Sequence, residues 1–130
     1  MTTITPFLMY EGNAEEAVSL YVSLFPNSQI DDISHYGPEG PGREGDAAMI
    51  RFTLAGHPYR ALDSAISHGF TFTPSISLFV DCASEAELEA AFTALSHMGK
   101  VMMPLSAYPF AKKFAWVQDR FGVSWQLSFN

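Results

Sequence analysis

The chain has 130 residues, 48% of them hydrophobic, which is enough for one domain with a buried core and too apolar for a disordered segment. Seven basic residues against fourteen acidic ones leave a net charge of −7, which argues against a nucleic-acid partner. No apolar run approaches a bilayer span and no basic-then-apolar leader opens the chain, so a cytoplasmic protein with no membrane partner is expected, and the single Cys82 excludes an internal disulfide or a multi-cysteine metal site.

Residues 3–10 are apolar and β-capable, a first strand with Pro6 marking an edge or a start. Asn13, with Glu16 three residues on, predicts a capping box. Ala14, Ala17, Val18, Tyr21, Leu24 and Phe25 follow as one helical stripe, stopped by Pro26-Asn27. Residues 29–36 read as a second strand. Residues 37–45, GPEGPGREG, read as a loop with four glycines and two prolines. A third strand at 47–54 sets Met49, Arg51 and Thr53 against Ile50, Phe52 and Leu54, and a fourth is expected at about 58–62.

The pattern then restarts. Residues 75–81 alternate, with Ser75, Ser77 and Phe79 on one face and Ile76, Leu78 and Val80 on the other. Ser84 and Glu87 predict a second capping box. Leu88, Ala91, Phe92, Leu95 and Met98 are its helical stripe, and Gly99 is read as the helix-ending glycine. Residues 100–103 read as a short strand and 104–109 as a loop. A closing hairpin joins 114–118 to 124–129 through Asp119-Arg120-Phe121-Gly122. In its last strand Trp125, Leu127 and Phe129 oppose Gln126 and Ser128.

Caps and stripes superimpose at an offset of 71: Asn13 falls on Ser84, Glu16 on Glu87, Tyr21 on Phe92 and Leu24 on Leu95. Each half reads strand, helix, three strands, so the chain is an internal duplication within one domain, its modules about 1–73 and 74–130. One helix for four strands covers one sheet face and leaves the other open.

Several stretches carry a family resemblance. They are Thr5-Pro6-Phe7-Leu8, Gly12-Asn13-Ala14-Glu15-Glu16-Ala17, Leu24-Phe25-Pro26-Asn27-Ser28, Tyr36-Gly37, Phe79-Val80-Asp81-Cys82 and the run from Trp116 to Gln126. In order and spacing the chain resembles the PhnB-like proteins, labelled demethylubiquinone methyltransferase-like, of the vicinal oxygen chelate superfamily that also holds glyoxalases and bleomycin-resistance proteins. The resemblance implies an α+β fold: two tandem βαβββ modules forming a U-shaped mixed sheet cleft with helices outside, in a homodimer. It also implies a divalent metal held by His, Glu or Gln.

Position by position, the last-strand ligand falls on Gln126, the ligand opening the second module falls on Ser75, and the first-strand ligand falls within 4–6, where no side chain is a good donor. A neutral amide and a serine do not make the roughly three good donors a catalytic metal needs. No metal or other cofactor is therefore expected, nor a nucleotide-type methyl donor, since no strand-G-x-G-x-x-G-helix occurs. The expected ligand set is Ser75, Ser77 and Gln126 with Arg51 for an anion and Trp116 for stacking, Tyr108 and Phe110 being further stacking candidates. The expected function is binding of a small, partly apolar molecule. A metal-dependent lyase, isomerase or dioxygenase and a drug-sequestering protein are the alternatives. His35, His57, His68 and His97 show no ligand spacing, the glutamates at both helix starts read as caps, Lys112-Lys113 as a solvated charge pair, and Cys82 reads as a buried inert thiol.

Overall fold

The structure, a computed structural model, describes residues 1–130. The chain divides into two compact units, Met1–Thr71 and Phe72–Asn130. The first contains β1 (Phe7–Tyr10), α1 (Ala14–Leu24), β2 (Gln29–His35), β3 (Ala47–Leu54) and β4 (His57–Asp63). The second contains β5 (Ser77–Asp81), α2 (Glu85–Ser96), β6 (Lys100–Tyr108), β7 (Ala111–Gln118) and β8 (Ser124–Phe129). Each unit is a four-stranded mixed sheet, in the orders β1-β4-β3-β2 and β5-β8-β7-β6. In each, the first strand runs parallel to the last and the remaining pairs are antiparallel. The duplication is thus one of topology, two βαβββ units in an α+β chain. No helix is long and apolar enough to cross a membrane.

In the first unit α1 buries Ala14, Ala17, Val18 and Tyr21 on the sheet face that carries Ile50, Phe52, Leu54 and Ala61. The Tyr10 hydroxyl donates to the Tyr21 hydroxyl at 3.2 Å and ties β1 to the helix. Alternation along β3 leaves Met49, Arg51 and Thr53 on the opposite face, which no helix of the unit covers. The expected cap is corrected: Asn13 makes no side-chain capping bond. The Ala14 N–H donates instead to Asp63 Oδ1 at 2.9 Å, from the end of β4. That donor is the first of the helix, ahead of those a capping side chain takes, and the buried carboxylate satisfies it. The first strand is also shorter than expected, starting after Pro6.

In the second unit Ser84 does cap α2, its Oγ accepting from the Glu87 N–H at 3.1 Å, while the Glu87 carboxylate accepts from the Ala83 N–H at 2.9 Å. Leu88, Ala91 and Leu95 are buried on the sheet face of Ala115, Val117, Trp125 and Leu127. Four expectations are corrected. Met98 is not part of the buried stripe: it is 79% exposed, in the left-handed conformation at φ 57°. Gly99 therefore does not end the helix by a positive φ; its role is close packing, taken up below. Ile76 lies outside β5 and is 75% exposed. Finally, β6 runs on through Pro104 to Tyr108, where a loop was expected, and β7 starts at Ala111. Pro104 is tolerated because β6 is an edge strand with register shifts at that stretch.

Candidate functional site

The open face of the second sheet follows from register. Ser77 pairs with Ser124, Phe79 with Gln126 and Asp81 with Ser128 across β5–β8. Across β7–β8, Gln118 pairs with Ser124, Trp116 with Gln126 and Phe114 with Ser128. Paired residues share a face, so these side chains stand together, opposite the Trp125 and Leu127 face that α2 covers.

The β7–β8 turn sets this geometry. Asp119 Oδ1 accepts from the Phe121 and Val123 N–H groups at 2.9 and 3.0 Å, and Oδ2 accepts from Trp125 Nε1 at 2.9 Å. Gly122 takes φ 100°, a conformation that a side chain would strain. The turn thereby fixes the register that puts Gln126 beside Trp116.

A hydrogen-bonded chain runs across the face. Gln126 Nε2 donates to Ser77 Oγ at 3.3 Å, and Ser77 Oγ meets Ser124 Oγ at 2.7 Å. Ser124 Oγ also accepts from Trp116 Nε1 at 2.8 Å and reaches the Pro74 carbonyl oxygen at 3.5 Å. Ser124 is buried, whereas Ser77, Trp116 and Gln126 are half-buried. The bond to Ser77 uses one amide hydrogen of Gln126, which leaves its carbonyl oxygen and second amide hydrogen as an acceptor and a donor. Beside them stands an aromatic cluster. Phe79 packs against Phe114 at 6.3 Å, Phe110 and Tyr108 meet Phe114 edge-on at 4.9 and 5.6 Å, and Tyr108 stacks on Phe110 at 5.6 Å. Such a face fits a flat molecule with one apolar side and one amide-like hydrogen-bonding edge.

Of the expected ligand set, Ser77, Gln126 and Trp116 come together here. Ser75 does not join them: it precedes β5, is exposed, and its hydroxyl bonds to that of Thr73 at 2.8 Å. The residue meeting the Gln126 amide is Ser77. Arg51 belongs to the first unit's open face and is exposed. Ser124, the hub of the chain, was missed, although the same alternation that exposed Gln126 and Ser128 reaches it two residues earlier.

Of the remaining candidates, His35, His68 and Lys113 have structural partners. His35 Nε2 lies 2.8 Å from Glu15 Oε1, and His68 Nε2 lies 2.8 Å from Ser64 Oγ. His57 and His97 are exposed. Lys113 ties β7 to α2 through Glu89 at 2.7 Å and Glu85 at 2.9 Å. Burial, with a smaller push from Glu87, raises the Cys82 thiol to about 11, which leaves an inert group. No group of three or more His, Cys, Asp or Glu side chains could hold a metal ion. The donors at the expected ligand positions, the Gln126 amide bonded to Ser77 and the Ser75 hydroxyl bonded to Thr73, do not fit a catalytic divalent metal.

Comparison with known proteins follows the fold. Residues 2–128 match the sequence profile of the 3-demethylubiquinone-9 3-methyltransferase family. The PhnB protein from Bacillus cereus is 49% identical, with a TM-score of 0.97 over 99% of this chain and 100% of that one. A Pseudomonas aeruginosa protein is 26% identical, with a TM-score of 0.85 over 100% of this chain and 98% of that one. A glyoxalase-related enzyme from Fulvimarina pelagi shares the fold at 15% identity, with a TM-score of 0.56 over 100% of this chain and 89% of that one. No curated protein matches the chain.

Proposed function

Since the chain belongs to the PhnB-like 3-demethylubiquinone-9 3-methyltransferase family of the vicinal oxygen chelate superfamily, we propose that it binds a small, partly apolar molecule on its open sheet face without the superfamily's metal. The observation that carries this reading is the Gln126 amide. It stands where the superfamily's carboxylate ligand is expected, is held by Ser77, and offers an unused acceptor and donor beside Phe79 and Trp116. A neutral amide cannot supply charge to a metal, but it can recognise a ligand edge of the same polarity. A methyl-transfer role has no support in this chain, because neither helix opens on a glycine-rich phosphate cradle. The protein is further proposed to be a homodimer, with exposed Phe110 and Phe79 available for burial between copies.

Native mass spectrometry of untagged protein from gentle lysis tests the binding reading without a guess at the ligand. The expected spectrum carries a small-molecule adduct that collisional activation removes intact, and Gln126→Leu lowers its occupancy about tenfold, the worth of one to two hydrogen bonds. An adduct of undiminished occupancy in Gln126→Leu would place the ligand elsewhere.

A further inference from the structure

The open face of the first sheet carries a feature that packing does not explain. Arg51 on β3 and Arg60 on β4 are direct cross-strand partners. Their Cβ atoms are therefore about 5 Å apart on one face, an arrangement that costs stability when both residues carry the same charge. Neither guanidinium takes part in an ion pair. The nearest acids by register are on β2. Asp32 pairs with Arg51 across β2–β3 without bonding to it. Asp31 is committed to the Thr53 hydroxyl at 2.7 Å and the Gln29 amide at 2.8 Å, which together hold its carboxyl below the usual range. Two of only seven basic residues in a chain of net charge −7 thus stand side by side without an ion pair, with Asp31 and Asp32 of β2 only on the Arg51 side, on a face no helix of the unit covers.

The other half of that face is apolar. Phe7 on β1 pairs with Arg60, and Met9 pairs with Leu62. Phe7 is 53% exposed, and Met9, Met49 and Leu62 are half-buried. The face is therefore graded, from an arginine pair in its middle to an apolar strip along β1.

We propose that Arg51 and Arg60 form an oxyanion site, taking the carboxylate or phosphate group of a small amphipathic molecule whose apolar body lies over Phe7, Met9 and Leu62. Two guanidinium forks side by side match the several oxygens of such a group, and a bound anion turns a repulsive pair into a bridged one. This rests on the reading that an uncovered sheet face holds a small molecule, and it names the chemistry on the first sheet.

Calorimetric titration in a low-salt, phosphate-free buffer with phenyl phosphate, benzoate and phenol tests it. At least one of the two anions is expected to bind about tenfold tighter than phenol, and the better of them identifies the headgroup. Arg51→Gln and Arg60→Gln should each remove most of that preference, while Arg43→Gln in the exposed loop should leave it intact; far-UV circular dichroism checks that each variant is folded. Phenol binding as tightly as both anions overturns the proposal. So does an anion preference that survives both substitutions, or binding of none of the three. An adduct in the native mass spectrum together with any of these results would sink the oxyanion site and leave the ligand-binding reading standing.

Discussion

Replacing Asp63 with alanine is expected to cost about 3–5 kcal/mol, more than any other single substitution considered, and to leave the first unit only marginally folded. Asp63 is 2% exposed at the end of β4. Its Oδ1 accepts from the Gly12 N–H at 2.8 Å and the Ala14 N–H at 2.9 Å, and its Oδ2 accepts from the Ala47 N–H at 2.9 Å. One side chain thus satisfies the turn after β1, the first donor of α1 and the start of β3. Each buried donor left without a partner costs about 1–3 kcal/mol, and the alanine strands those of Ala14 and Ala47 while also removing the partner of the part-buried Gly12 N–H. The α1 N-terminus, whose partial positive charge favours a carboxylate there, loses that contribution too. Asp63→Asn keeps one acceptor oxygen but turns an amide NH2 on a backbone donor, so an intermediate loss of about 2 kcal/mol is expected. Urea unfolding followed by far-UV circular dichroism measures both. An Asp63→Ala protein within 1 kcal/mol of the wild type would contradict this assignment.

Gly99→Ala is expected to destabilise the second unit by about 3 kcal/mol, at the upper end of overpacking costs. Gly99 has no positive φ, so backbone conformation is not the reason for a glycine. A Cβ at this position would run into the carbonyl oxygen of Gln118, with Asp119 Cα and the Leu95 carbonyl oxygen each 3.1 Å away. All three are backbone atoms of α2 and the β7 end, and they cannot swing aside as a side chain would. Gly69, whose added Cβ would meet nothing within 4 Å, is the control. Gly69→Ala should stay within about 0.5 kcal/mol of the wild type in the same urea titration. Equal effects at the two sites would mean that close approach is not what Gly99 provides.

What could be read from the residues alone was local. The α1 stripe, the Ser84–Glu87 box, the β3 alternation and the Asp119–Gly122 turn each depend on neighbours a few positions away. The repetition of the helical stripes at a constant offset then revealed the topology, because matching helices imply matching crossovers. The failures have one cause. Asn13 looked like a cap from residue type and spacing alone, whereas the first helix donor is met by Asp63 from the end of β4, far away in sequence. Gly99 looked like a helix stop because the carbonyl it must avoid belongs to β7. Ser75 and Ser77 lie on the same face by alternation, and only the pairing of Ser77 with Ser124 decides which of them Gln126 meets. Pro104 argued for a loop because an edge strand cannot be recognised until the strand order is known. The site shows the same split. Gln126 and Trp116 were identifiable from position, whereas Ser124 as their hub and Arg60 as the partner of Arg51 required register.

Elemental analysis by plasma mass spectrometry most directly tests the claim that this face recognises its ligand through an amide rather than a metal. Untagged protein would be exposed to zinc, nickel, manganese and ferrous ions and then desalted. With Gln126 and Ser77 as neutral donors bonded to each other, the account predicts far less than one equivalent of any of the four, unchanged in Gln126→Ala. Near-stoichiometric metal that disappears in Gln126→Ala would contradict it, and would return this strand to the metal chemistry of its superfamily.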